Sequence, residues 1–188
     1  MIVSIGGVPG SGKTSAARIL AEQLRMPYHS VGGLRAQLAH KRGITLDALN
    51  ALGETDKTTD SDVDDLQRRL GETEDNFVIE GRLGWYFIPH SIKIFLTCDL
   101  DESAKRIFAA RHATDERSDE PAYAHIEETK QAIEARMASD ARRYEKWYGV
   151  NYLDPSHYDV IIDTTTSTGP ERTAEQILAA LRDRGVQS

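Results

Sequence analysis

Residues 7–14 read Gly7-Val8-Pro9-Gly10-Ser11-Gly12-Lys13-Thr14, and no other stretch of the chain restricts the possible folds as much. The pattern G-x-x-x-x-G-K-[ST] has meaning only between a strand and a helix. Both are present here. Met1 to Ile5 is a short apolar run closed by Gly6-Gly7, and Lys13 to Arg25 carries Ala16, Ala17, Leu20 and Leu24 at helical spacing. Glycines allow successive backbone N–H groups to converge on a phosphate, and the helix that follows adds its N-terminal partial positive charge. This strand–loop–helix context sets aside a plain Gly/Ser-rich turn capping a helix. It specifies a nucleoside triphosphate with Mg²⁺, bound by Gly7, Gly10, Ser11, Gly12, Lys13, Thr14 and Ser15. Lys13 reaches the β- and γ-phosphates, and the Thr14 hydroxyl is a ligand of the metal.

The rest of the chain alternates in the same way. Phe77-Val78-Ile79, Ile92 to Thr97 and Val160-Ile161-Ile162 read as buried strands, with a short segment at Tyr28 to Ser30. Helical patterns run from Leu100 to Arg111, from about Ala122 to Trp147, and from Glu171 to Arg184. Such alternation predicts an α/β protein with a parallel sheet covered on both faces. Two stretches interrupt it: a lightly apolar region from Gly32 to Gly71, read as two or three short helices, and a polar run from His112 to Pro121. Both follow strand–helix units, on the rim where ligands of such sheets bind.

A length of 188 residues predicts a single domain. A net charge of −7 argues against a nucleic-acid or membrane-surface partner, and the single cysteine, Cys98, rules out an intrachain disulfide. With no basic leader and no long apolar stretch at the N-terminus, the expectation is a soluble cytoplasmic protein.

A guanine-reading Asn-Lys-x-Asp stretch is missing, which argues against a GTPase. Arginines stand instead where phosphates must be neutralised. Glu80-Gly81-Arg82 follows the Phe77–Ile79 strand, putting Glu80 in position to hold a Mg²⁺-bound water and Arg82 over the rim. Arg106 and Arg111 lie on the helix before the polar run. Arg136, Asp140 and Arg143 share one helical face. Phosphoryl transfer between two anions needs several fixed cations, and the planar guanidinium grips phosphate bidentately.

The segments IGGVPGSGKTSAARILAEQL, HSVGGLRAQLAHKRG, NFVIEGRLGW, IKIFLTCDLDESAKRIFAAR, EARMASDARRYEKWYGV and YDVIIDTTT together resemble the cytidylate kinase family, most closely its short archaeal-type branch. The resemblance implies a P-loop fold with a five-stranded parallel sheet of order 2-3-1-4-5. It also implies a nucleoside-monophosphate-binding insert at residues 30–71 and a lid at 112–121, the core being 1–29, 72–111 and 122–188. The implied reaction is Mg²⁺-dependent transfer of the ATP γ-phosphoryl group to CMP or dCMP, by a protein expected to act as a monomer. Carried over by position, Ser30 and Arg35 face the monophosphate, Arg82 holds it, and Arg136 and Arg143 close over both phosphate groups. Asp140 orients an arginine or contacts the acceptor nucleoside. Arg106 lies against adenine, Arg111 reaches the ATP phosphates, and the loop with Thr164 flanks the adenine. Trp85 is a candidate lining of the acceptor pocket. The alternatives left open are a kinase for another acceptor (AMP, another monophosphate or a small alcohol) and a non-catalytic ATP sensor.

Other features have plainer readings. The acidic run Asp60 to Asp65 lacks the glycine and terminal glutamate of a calcium loop and is expected to be a solvated helix start, contact of Asp64 with an acceptor base being the alternative left open. Tyr144, Trp147 and Tyr148 are expected in packing.

Overall fold

The computed structural model describes residues 1–113 and 123–185. Five strands, β1 (Ile2–Gly7), β2 (Tyr28–Ser30), β3 (Phe77–Glu80), β4 (Ile92–Thr97) and β5 (Val160–Asp163), form one parallel sheet in the order β2-β3-β1-β4-β5. The expected order is therefore observed. The central place of β1 and β3 agrees with their burial along their full length, which only strands covered on both faces and flanked on both edges reach.

Two cores follow. On one face α1 (Lys13–Leu24) and α8 (Pro170–Asp183) bring Ala16, Ala17, Leu20, Ile177 and Leu181 against Val3, Ile5 and Leu96. On the other, Phe77 and Ile79 meet Leu83, Phe87 and Ile88 around the short α5 (Gly84–Phe87), together with Tyr144 and Tyr152. The long α7 (Ile126–Tyr148), which starts later than the sequence pattern suggests, packs on this second core through Ala141, Tyr144 and Tyr148 and is flanked by α6 (Leu100–Ala113).

The insert contains three helices, α2 (Val31–Lys41), α3 (Leu46–Gly53) and α4 (Thr58–Thr73). Ser30 caps α2 by accepting from the Gly33 N–H, and Thr45 caps α3 by accepting from the Ala48 N–H. The acidic run lies in α4, and the expectation for it needs correcting. Asp62 and Asp65 are exposed, but Asp60 and Asp64 are buried on the inward face with Val63 and Gln67. The expected lid at 112–121 lies, from 114 onward, outside the described residues. No described helix is long and apolar enough to cross a membrane.

All strands point the same way, so Gly7, Ser30, Glu80, Thr97 and Asp163 end on one rim. The phosphate loop is pressed tightly onto it. A Cβ on Gly7, where φ is 147°, would lie 2.3 Å from the Leu96 carbonyl oxygen, and one on Gly10, where φ is 75°, would lie 2.7 Å from Ser103 Cα. Only glycine tolerates both demands.

Leu20 is fully buried, whereas Ile161 on the edge strand is 48% exposed. Urea unfolding is expected to show Leu20→Ala costing about 2–5 kcal/mol, and Ile161→Ala about 0.5 kcal/mol.

Candidate functional site

A cleft of about 680 Å³ opens over this rim, between the phosphate loop, the insert and α7. At one end lie Gly10, Gly12, Lys13, Thr14 and Ser15. Lys13 is mostly buried, with its Nζ donating to the Val8 carbonyl at 2.6 Å, so the ammonium is folded over its own loop. Gly7 and Ser11 form the back of the loop instead of its open face; the Ser11 hydroxyl donates to the Val8 carbonyl at 2.8 Å. Glu80 ends β3 on the cleft wall, 5% exposed, where the Ser30 hydroxyl donates to its Oε1.

From there a row of alternating charges crosses the cleft. Arg82 Nε donates to Asp140 Oδ2 at 2.8 Å, and its NH1 to the Gly7 carbonyl at 3.3 Å. Asp140 Oδ1 accepts from Arg143 NH2 at 2.9 Å. Arg143 Nε stands 3.7 Å from Asp60 Oδ2, and Asp60 Oδ1 accepts from Arg35. Arg35 is held on three further sides, by Asn50 Oδ1 at 2.7 Å and by the Leu49 and Thr59 carbonyls. Asn50 Oδ1 also accepts from Arg143 at 3.3 Å. The row thus spans three separate parts of the chain: the insert, the end of β3 and α7.

These charges are desolvated, and unpaired they would be costly. Burial alone would raise the Asp140 carboxyl, but the guanidinium groups of Arg82 and Arg143 outweigh it and hold it below the usual carboxylate value. Burial likewise opposes the charge on Arg82, and Asp140 with Tyr152 and Tyr144 overcomes it, leaving the pKa above that of ordinary arginine. Arg143 lies over the Tyr144 ring at 4.8 Å, and Arg82 over the Tyr152 ring at 5.7 Å. At one point the row makes no hydrogen bond: Arg143 Nε and Asp60 Oδ2 are both buried without a hydrogen-bond partner and face each other across the insert boundary.

The sequence placed Arg136, Asp140 and Arg143 on one helical face, and the structure lines the cleft with all three. Asp140 orients two arginines. Arg35 belongs to the row, but four hydrogen bonds within the insert engage its guanidinium, so it acts as a tie between α2, α3 and α4. Arg106 does not line the cleft. It donates to Glu102, to the Thr164 carbonyl at 2.8 Å and to the Thr165 carbonyl at 3.2 Å, pinning the loop after β5. Thr164, fully buried, bonds the Thr97 and Ser11 carbonyls and joins that loop to the phosphate loop. Arg111 lies on α6, whose Ile107 and Ala110 line the cleft.

Trp85 requires a correction. Its ring stacks on His157 at 4.0 Å and packs edge-on to Tyr158, away from the cleft lining. The helical turn at Gly84–Phe87 rotates it onto the far core, an element too short to be read from the pattern. Asn50, Asp60 and Gln67 escaped the sequence reading. For Asp60 and Gln67 the available signal was phase, since Thr59, Asp60, Val63, Asp64, Gln67 and Leu70 fall on one face of α4.

Fold and cleft together define a class, that of small P-loop α/β proteins of the kinase type. Among solved structures the chain superposes on the shikimate kinase of Bacteroides thetaiotaomicron with a TM-score of 0.66, covering 97% of this chain and 98% of that one at 15% identity, a likeness of fold alone. The sequence profile of the cytidylate kinase-like family matches residues 2–166, and the chain belongs to that family. Its relatives include a cytidylate kinase of Methanocorpusculum labreanum, 34% identical over 192 residues and covering 100% of this chain and 97% of the relative. Another, from Methanobrevibacter smithii, is 29% identical over 182 residues, covering 97% and 99%.

Two outcomes follow from the electrostatics. Removing the anion that two buried guanidiniums share should be severe: Asp140→Asn is expected to lower unfolding stability at pH 7 by about 3 kcal/mol in urea titrations. Because the Asp140 carboxyl titrates below its unfolded value, its contribution is complete above about pH 4 and disappears as pH falls through the folded value. Asp64 behaves in the opposite sense. Burial, with Asp60 adding to it, raises its pKa to about 6, against the Tyr148 hydrogen bond and the charges of Arg68 and Lys57. The folded state therefore holds a proton that the unfolded state releases, and stability is lost as pH rises through 6. The stability of Asp64→Asn relative to the native protein is expected to improve by about 1 kcal/mol between pH 5 and pH 7.5.

Proposed function

We propose that this protein transfers the γ-phosphoryl group of ATP to CMP or dCMP, yielding ADP and the pyrimidine nucleoside diphosphate. Membership of the cytidylate kinase-like family supports this reading. The observation that carries it is that the phosphate loop and the buried row of arginines end in one cleft. A triphosphate on the loop and a monophosphate against Arg82 and Arg143 would meet end to end between them.

In this scheme the loop amides and Lys13 hold the β- and γ-phosphates of ATP, while Arg136 and Arg143 approach the transferring group from α7. Arg106 and Thr164 stiffen the loop beside the adenine. An oxygen of the acceptor phosphate attacks the γ-phosphorus, the bond to the β,γ-bridging oxygen breaks, and ADP leaves with that electron pair. The attacking oxygen is already anionic, so no general base is needed. Catalysis consists of alignment and charge neutralisation. Closing the insert excludes water, which would otherwise hydrolyse ATP.

Thr14 and Glu80 present a hydroxyl and a carboxylate on the cleft wall, hard oxygen donors of the kind Mg²⁺ prefers. Among the described residues no three metal-binding side chains stand together, which suits an ion that takes its remaining ligands from phosphate and water. Thr14 and Glu80 would hold the ion, which would supply positive charge to offset that of the phosphates. Every group in the scheme comes from one chain, and we propose a monomer acting in the cytoplasm.

Coupled ADP release tests the proposal with CMP, dCMP, AMP and shikimate as acceptors. The expected order puts CMP or dCMP first, with kcat/KM roughly tenfold or more above AMP. ADP release that ignores the acceptor supplied would defeat the transferase reading. Lys13→Ala is expected to lower kcat on the order of 10³-fold. Arg82→Ala is expected to raise KM for the monophosphate by roughly tenfold, and far more than KM for ATP.

A further inference from the structure

Beyond the row of charges, the insert wall of the cleft carries a second polar pair that the scheme above leaves unused. Asp64 and Gln67 both line the cleft from the inward face of α4, 6% and 2% exposed. Asp64 is one helical turn past Asp60, about 6 Å further along the axis. The pair therefore lies further along the insert wall than Asp60, which faces the guanidinium groups of Arg35 and Arg143. Between and beside these positions Val63, Leu46 and Ala36 supply apolar lining.

The hydrogen-bonding state of the pair is distinctive. Gln67 Nε2 donates to the Val63 carbonyl at 3.4 Å. A carbonyl can only accept, so this contact fixes the amide orientation and turns Oε1 away as the unused end. Oε1 is buried without a partner, an unfavourable state until a donor arrives. On Asp64 the Tyr148 hydroxyl donates to Oδ2 at 2.5 Å, and among the described residues no side chain donates to Oδ1. Two acceptor oxygens, Gln67 Oε1 and Asp64 Oδ1, thus have no side-chain donor among the described residues. Such a pair complements a group carrying two N–H bonds.

We propose that Asp64, supported by Gln67, selects cytosine over uracil by accepting hydrogen bonds from the exocyclic amino group of the acceptor base. The inference rests on the pyrimidine monophosphate reading above and names the residues that set its base preference. Cytosine presents an amino group where uracil presents a carbonyl oxygen. That oxygen would face the Asp64 carboxylate with like polarity and leave Gln67 Oε1 unsatisfied, which is how polar sites reject a near-isostere. Gln67 Oε1 is closed to solvent as the cleft stands, so a base meets it only once the side chain turns; Asp64 makes the first contact. The raised pKa of Asp64 agrees with this role, because an amino donor would restore to the carboxylate the stabilisation that burial removes.

The test compares CMP and UMP as acceptors at saturating ATP, with calorimetric binding of each nucleotide, in the native protein, Asp64→Asn and Gln67→Met. The native protein is expected to favour CMP by roughly thirtyfold in kcat/KM. Asp64→Asn, whose amide can donate to the uracil oxygen, should shrink that ratio by about tenfold or more, mainly through KM and Kd for CMP, while KM for ATP stays within about twofold. Gln67→Met should shrink it roughly threefold and serves if the first variant does not fold. A CMP-to-UMP ratio unchanged in a folded variant, with CMP still turned over, overturns the base-reading role and leaves the kinase standing. If the native protein phosphorylates neither pyrimidine, the kinase reading falls and this inference with it.

Discussion

The structure depends on a buried alternation of charge: Arg35, Asp60, Arg143, Asp140 and Arg82 in succession. Guanidinium groups taken out of water are tolerable only with carboxylates beside them. Those carboxylates do more than compensate. Asp140 takes one edge of Arg82 and one of Arg143, holding both in fixed positions on the cleft wall. Arginines ordered in this way lose little conformational entropy when they grip a phosphate, which is the physical content of preorganisation.

The same row explains how an insert with so little apolar material is held. Its helices converge on Arg35, which bonds α3 through Asn50 and the Leu49 carbonyl and α4 through Asp60 and the Thr59 carbonyl. Toward α7 the insert is joined by Trp147 Nε1 to the Gly53 carbonyl, by Arg142 to Glu54 and by the Tyr148 hydroxyl to Asp64. Polar contacts of this kind can exchange partners without exposing a hydrophobic face. The insert is therefore held to α7 largely by polar contacts, with Arg143 Nε and Asp60 Oδ2 left 3.7 Å apart and without a hydrogen bond.

Much of this was legible in residue order. The phosphate loop, the five strands and the shared face of Arg136, Asp140 and Arg143 all rest on local spacing, and local spacing survives folding. The misreadings have a different origin. Trp85 looked like cleft lining because it lies near Arg82 in sequence, yet a single turn of helix carries its ring onto His157. Asp60 and Asp64 looked like solvated acids because charge in a run usually is; their burial comes with Arg35, Arg143 and Tyr148, partners between 25 and 84 residues away along the chain that α2 and α7 bring in.

What the sequence by itself determined is the strand–loop–helix that cradles phosphate and the alternation that makes the sheet parallel, since backbone geometry and apolar periodicity are properties of adjacent residues. What only the tertiary structure decided is which charges are buried, which of them meet, and that an acceptor on α4 beside the cleft, Gln67 Oε1, is left without a donor. Desolvation and pairing act between elements that are far apart along the chain, so nothing in the neighbourhood of a residue such as Asp64 or Gln67 announces them.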